Sequence, residues 1–441
     1  MAKFILPALA VTIGLLQVAV PNLSRTYTLV GGRRNNAHYL SPSYTSLLDP
    51  LCMLQHTDKF HGCESMQLVE LSPTRTVIFT SCLTSYANRP RVLSQSREAD
   101  AAEGKSRSGD KIFRWDLDTD EVVELELRGM PGGEGGGDRG FHGMDVNYGL
   151  EGGRMSLYVV NHRFNGTVVE KFMHDPATDV LEHVASIPTA EGGLKHPNDI
   201  YAIKHLDDIN AFYITDENRY STGLMRFIGD YTRRPWGSAH YYSTETRWKL
   251  VMTGLGGGNG ITGDNKVGGR VYISPHLSGE IVVTDQDASQ PGVLKELQRI
   301  PLNFMGDNPT LSSSGEDIII AGYTDPRKMY GHVADRSAPA PGSIVGRIST
   351  KQLGSAFFGE KGGYTSTPVV DEMFVDIQGR WINASSTAIL REKKIQPLDE
   401  EAEIEEDDEV ARGASELGDL YITGLTTSGE YAFLLVLSSC P

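Results

Sequence analysis

From Cys52 to the C-terminus the chain is a succession of short apolar runs broken by Gly, Asp, Asn and Pro, and that rhythm limits the folds open to it. Thr76–Ser81, Ala211–Thr215, Val271–Ser274, Glu280–Thr284, Ile318–Ala321, Leu420–Thr423 and Tyr431–Leu437 read as strands, and Ile112–Leu127 as a hairpin turning at Asp118-Thr119-Asp120. No sustained apolar stripe at helical spacing follows the N-terminus. With 48 Gly in 441 residues, turns are frequent. Strands in hairpins from end to end, without helices between them, fit repeated four-stranded blades. Periodicity alone leaves a sandwich or a barrel open.

The ends of the chain carry different signals. Lys3 precedes an apolar run from Phe4 to Val20, interrupted by Pro7, Thr12, Gly14 and Gln17. Residues 1–23 therefore read as a signal peptide or a signal anchor, and no clean cleavage site precedes Pro21. Either fate puts the globular part in an oxidising lumen or outside the cell, and a retained leader would hold it at a membrane or lipid surface. The sequons at Asn22, Asn165 and Asn383 agree. Residues 24–50 read as a polar lead-in and 51–441 as the β domain, with polar surface residues at 92–110 and a solvated acidic loop at 398–410. The formal charge of -16 argues against a nucleic-acid partner. Of the four Cys, Cys52 lies early and Cys440 is penultimate, so a secreted chain could bridge its two ends. Cys63 and Cys82 then read as buried thiols, with a second bridge between them as the alternative.

Two histidines stand out chemically. His142 follows a glycine-crowded loop, and His162 ends the apolar run from Leu157 to Val160. Histidine moves protons near neutral pH, so a pair brought together by a strand return suits a base and its partner, although two His near strand ends also suit a structural role. Five oxygen-bearing side chains share a local setting beside Gly or Pro near a strand start. They are Glu64, Asn198, Asn259, Asp307 and Asn308. Each Asn alone reads as a turn former. Together, two carboxylates and three amides suit a hard cation such as calcium, which takes about six to eight oxygen ligands. There is no Cys/His cluster at zinc spacing. Asp116, Asp118 and Asp120 hint at an EF-hand, but Glu121 stands where Gly is needed and Leu127 where the bidentate Glu should be. The Gly254–Gly260 run lacks the Gly-Lys-Ser/Thr ending of a phosphate loop.

Taken in order, the hairpin from Lys111 to Leu127, Phe141-His142-Gly143, Val159-Val160-Asn161-His162, Asn198-Asp199-Ile200, Asn259-Gly260-Ile261, Asp307-Asn308 and the final Cys440 resemble segments of the paraoxonase/arylesterase family of calcium-dependent esterases and lactonases. The apolar leader resembles that family's retained one. The resemblance covers nearly the whole of Cys52–Cys440. It implies an all-β, six-bladed β-propeller with calcium in a central tunnel. It implies catalytic Ca2+ ligands at Glu64, Asn198, Asn259, Asp307 and Asn308, a His142–His162 dyad that activates water, and a ring-closing Cys52–Cys440 disulfide. A second, structural calcium would fall on Asp199, the carbonyl of Met144 and the position of Ser65, where the family has Asp and this chain an uncharged side chain. The family also has a His and an acid where this chain has Glu217-Asn218, and another His at Thr324, so pocket shape does not carry over. The implied activity is calcium-assisted hydrolysis of small esters and lactones, and of phosphotriesters. The alternatives are a gluconolactonase-like or strictosidine-synthase-like propeller and a non-catalytic extracellular propeller that binds a partner protein.

Overall fold

The computed structural model describes residues 23–29, 34, 36–44, 52–83, 109–131, 138–148, 153–163, 165–203, 211–266, 268–290, 292–335, 337–353, 368–392, 418–424 and 434–438. The leader Phe4–Val20, Asn22, most of 92–110, the acidic run 398–410 and Cys440 lie outside them. Among the described residues no helix is long and apolar enough to cross a membrane.

Among the described residues strand pairing produces six sheets, and five of them are each built from one unbroken run of strands in the sequence. Their inner strands are Ser65–Ser72, Phe141–Asn147, Pro197–Ala202, Gly258–Gly263 and Met305–Leu311, and the second sheet adds Glu126–Arg128 at its outer edge, parallel to Val180–Pro188. Each inner strand lies against the inner strand of the next sheet. This is a β-propeller arrangement with five blades of consecutive strands. The sixth sheet is composite, with Ser385–Arg391, Asp419–Gly424 and Leu434–Ser438 joined by the N-terminal strand Cys52–Gln55. Its inner strand Ser385–Arg391 packs on Ser65–Ser72 and completes the ring. The expectation of six equivalent blades is thus corrected to five, plus a seam drawn from both ends of the chain. The seam has a physical reason: a circle of sheets is locked only if its first strand pairs with its last. In that pairing Cys52 stands opposite Leu437.

The core lies between neighbouring sheets. Val69 and Phe79 of the first blade pack with Met144, Leu157 and Phe172 of the second. Tyr272 and Ile281 of the fourth meet Ile318 and Ile320 of the fifth. Middle strands are covered on both faces, so Ile318, Ile319, Ile320 and Ala321 are all fully buried and the strand reads as an unbroken apolar run.

Most strands read from the sequence are present, including the Lys111–Asp116/Glu121–Glu124 hairpin. The expectation of no helices is corrected. Nine-residue helices span Gly223–Tyr231 and Pro326–Ala334, and the second is capped by Asp325, which accepts from the Arg327 amide. Both are too short to stamp a long period on the sequence. The first leaves Leu224, Met225, Phe227 and Tyr231 exposed rather than core-facing. The lead-in also holds helical turns at 23–29 and Asn36–Tyr39. Arg25 donates to the Ser278 carbonyl and Arg34 pairs with Glu372, so this segment is fastened to the fourth and fifth blades.

Candidate functional site

The inner strands share one irregularity. In five of the six, the register with the neighbouring strand slips across two residues. The slipped pairs are His142-Gly143, Asn198-Asp199, Asn259-Gly260, Asp307-Asn308 and Ser386-Thr387. A bulge re-aims side chains that regular pleating would send to alternate faces. Repeated around the ring, it gathers polar groups where flat strands would bury apolar ones. Two glycines permit the close approach. A Cβ on Gly143 would collide with Asp199, and one on Gly260 with the backbone of Asp307 and Asn308.

All the oxygen-bearing residues singled out from the sequence are buried. Glu64, Asn198, Asp199, Asn259, Asp307 and Asn308 are each at most 5% exposed. They are tied into one network. Asn308 Nδ2 reaches the Glu64 carbonyl at 3.3 Å, Ser386 Oγ at 3.2 Å and Thr387 Oγ1 at 3.3 Å. Thr387 Oγ1 donates to the same carbonyl at 2.8 Å. Glu64 Oε1 lies 3.5 Å from His142 Nε2, which lies 3.1 Å from Asn198 Nδ2. Asp199 Oδ2 accepts the Ile261 amide at 2.9 Å, beside Asn259-Gly260.

The oxygens left over carry the chemistry. Oδ1 of Asn198, Asn259 and Asn308 and Oδ2 of Asp307 have no hydrogen-bond partner among the described residues, and neither has Asp199 Oδ1. Leaving a buried acceptor unmade costs on the order of 1–3 kcal/mol, so five around one axis are expensive. The carboxylates add strain. Burial pushes the Asp307 carboxyl well above the usual range, and nearby Glu64 and Asp199 push it further. Burial does the same to Asp199, with Asp145 and Glu64 adding to it. A hard cation would relieve both costs, so the first-ion set fits such a group. Among the described residues no three His, Cys, Asp or Glu form a metal cluster, and three of the five donors in this set are amides.

The residues do not fit the second ion. The Met144 carbonyl already accepts from Ser65 Oγ at 3.2 Å and Gln67 Nε2 at 2.9 Å, which occupies both of its lone pairs.

The two histidines are brought together. His142 and His162 are buried, and their rings meet edge to face with centroids 5.2 Å apart. His162 Nδ1 lies 3.0 Å from Thr167 Oγ1. The other face of His162 meets His196, centroid to centroid 5.6 Å, a residue to which the sequence had lent no role. His196 Nδ1 lies 3.1 Å from Glu217 Oε2. Ser386 and Thr387 were likewise missed. Hydroxyls on a seam strand carry no signal until the bulge they share with the Asn and Asp pairs is seen.

A cleft of about 730 Å³ is lined by Phe227, Tyr231, Leu277, Met305, Pro326 and Arg327, so it is framed by the two short helices and ends two residues from Asp307. A second cleft, between the fourth and fifth blades near Asp264, Tyr272 and Asp285, contains none of the candidate residues.

Two of the four Cys depart from expectation, and the Cys52–Cys440 pairing lies outside the described residues. Cys63 and Cys82 form a disulfide, which corrects the reading of both as thiols. Strand pairing explains it. Ser65 stands opposite Ser81, so the residues just beyond that pair converge. The bridge holds the backbone next to Glu64.

A family model described as Arylesterase matches residues 104–355, more than half of the chain. The chain belongs to the arylesterase (paraoxonase) family. Serum paraoxonase/arylesterase 2 of Rattus norvegicus is 28% identical over 242 residues, which are 54% of this chain and 60% of the relative. The Homo sapiens protein of the same name is 28% identical over 194 residues, 44% of this chain and 51% of the relative. The chain thus spans between half and three-fifths of these relatives. Among solved structures, a virginiamycin B lyase from Staphylococcus aureus aligns over 88% of this chain and 98% of its own at 11% identity and a TM-score of 0.37. The family match contains His142, His162, Asn198, Asn259, Asp307 and Asn308, whereas Glu64 precedes it.

Proposed function

We propose that this arylesterase-family chain is a calcium-dependent hydrolase of small carboxylic esters and lactones, with its site at the centre of the propeller. One observation carries the reading: the buried amide and carboxylate oxygens on successive inner-strand bulges that lack hydrogen-bond partners. Glu64, Asn198, Asn259, Asp307 and Asn308 would hold one ion. When bound, calcium supplies an electrophile that polarises the substrate oxygen and offsets the negative charge developing there.

The remaining work falls to the chain's own residues. His142 Nε2 faces Glu64 and Asn198, so the imidazole stands beside the oxygen cluster, where it would take the proton of an attacking water that displaces the Asn198 contact. His162 supports it edge-on and is itself held by Thr167. The apolar cleft at Phe227, Leu277 and Met305 would exclude water and seat the organic part of the substrate. Cys52 and Cys440 would lock the seam. The leader would place the enzyme in the secretory pathway, free or held at a lipid surface, where exposed Asn165 is the better-placed glycan acceptor and half-buried Asn383 the worse.

Hydrolysis of aryl acetates and aliphatic lactones, measured with calcium and with a chelator, tests the reading. Activity should disappear with chelator and return with added calcium. Full turnover in chelator overturns it.

A further inference from the structure

Five contacts close into a loop. His142 meets His162 and His162 meets His196 ring to ring. His196 pairs with Glu217 at 3.1 Å. Glu217 Oε1 accepts from Asn198 Nδ2 at 2.9 Å, and Asn198 Nδ2 returns to His142 at 3.1 Å. Glu217 is where the loop is anchored. Its backbone amide donates to the His196 carbonyl at 3.1 Å, and its carboxylate also takes a guanidinium nitrogen of Arg226. Arg226 is braced in turn by Asp230 at 2.7 Å, one turn along the Gly223–Tyr231 helix. Burial opposes ionisation of Glu217, but His196 and Arg226 outweigh it and hold the carboxyl well below the usual range.

An Asn side chain can present either its oxygen or its nitrogen to a site, because the two ends have the same shape. What decides is the partner of the nitrogen. Here both Nδ2 contacts of Asn198 lie on one side, Glu217 and His142, and Oδ1 is left over. Removing the acceptor would leave the amide free to turn.

We propose that Glu217 is a positioning residue that fixes the flip of the Asn198 amide, so that Oδ1 rather than Nδ2 faces the metal site. The inference rests on the calcium reading above. Glu217 lies outside the proposed ligand set. It acts through Asn198 and couples the oxygen cluster to the His196–His162 stack. Outer partners of metal ligands are typically worth about 10–100-fold in metal affinity.

The test is a double-mutant cycle on the full chain, read as calcium affinity by titration calorimetry. Glu217→Ala should weaken calcium binding by about 10–100-fold. Glu217→Gln, which can still accept from Asn198 through its amide oxygen, should recover most of that loss. In an Asn198→Asp background both ends of the side chain are oxygens and no flip remains to be fixed. There Glu217→Ala should cost much less than in the unaltered background, no more than the loss of one nearby negative charge that Arg226 already offsets. An equal loss in both backgrounds would mean that Glu217 merely supports the fold, and would overturn the inference. Should Glu217→Ala fail to fold, Glu217→Gln alone decides: near-native affinity supports the amide-fixing role, and a loss of tenfold or more refutes it. If the unaltered protein binds no calcium at millimolar concentration, the metal reading itself falls and this inference with it.

Discussion

Glu64 Oε1 lies 3.5 Å from His142 Nε2, with both side chains about 3% exposed, although 78 residues of chain separate them. The first blade therefore delivers a carboxylate to the second blade's histidine. Metal holding and proton transfer, on the proposed reading, share one buried contact, and separate substitutions can pull them apart.

Asp307→Asn removes one of the two carboxylates in the proposed ligand set. Ligand charge tunes calcium affinity over orders of magnitude, so binding should weaken by on the order of 100-fold or more. Turnover of all substrates should fall together. The calcium-dependent gain in thermal stability should shrink, since the ion is held only by the folded state. Calorimetry and melting curves with and without calcium check this. Unchanged calcium affinity would remove Asp307 from the set.

His142→Gln should behave differently. It keeps a polar group near Asn198 and removes the proton acceptor. Calcium affinity should hold, while kcat for lactones drops by ~10²–10⁴, the usual share of a general base. Steady-state kinetics and calcium titration on the same preparation decide it. A variant that loses calcium as readily as Asp307→Asn would assign His142 to the metal instead.

His240 offers a pH test away from the site. It is 6% exposed, and burial pulls its pKa down to about 4 from 6.5. Above pH 6.5 the ring is neutral in both folded and unfolded chains and contributes nothing pH-dependent. Below 6.5 the unfolded chain takes the proton first, so stability is lost as pH falls toward 4. At pH 5 the loss amounts to about 2 kcal/mol relative to neutral pH. His240→Gln should remove that part of the acid sensitivity. Urea unfolding at pH 5 and 7.5 measures the difference, and parallel losses in both proteins would refute the assignment.

Replacing Cys63 and Cys82 by Ala opens a loop with a sequence separation of 19 residues. The chain-entropy account puts the cost at about 3 kcal/mol. Because the bridge flanks Glu64, calcium affinity should fall as well. Non-reducing peptide mapping should recover the Cys63–Cys82 peptide, and a Cys52–Cys440 peptide beside it. Free thiols at 63 and 82 would contradict the bridge described here.

Much of the fold was legible because middle strands such as Ile318–Ala321 are apolar on both faces and turns announce themselves with Gly and Asp. The candidate oxygens were found for a local reason: each Asx stands beside Gly or Pro. That neighbour is the imprint of a backbone that must bulge and pass close to the next blade, as Gly143 and Gly260 do. Other features leave no local trace. His196 and Glu217 are opposite one another across a strand pair, and only register reveals it. The Cys63–Cys82 bridge follows from the Ser65–Ser81 pairing, which sequence spacing does not disclose. Ser386 and Thr387 look like any hydroxyl pair until the seam brings them to Glu64.

The seam also sets a timetable. Thr387 holds the Glu64 carbonyl from 323 residues away, and the strand at Cys52–Gln55 finds its partner only in Leu434–Ser438. During synthesis, five blades emerge from the ribosome before the strands that clasp the first one exist. A nascent chain can stack those blades in order, yet its cluster of acidic and amide oxygens stays open on one side until Ser385–Arg391 is released. Closure of the oxygen cluster therefore waits on Ser386 and Thr387, and a chain cut short before residue 385 would carry most of the fold and none of the clasp.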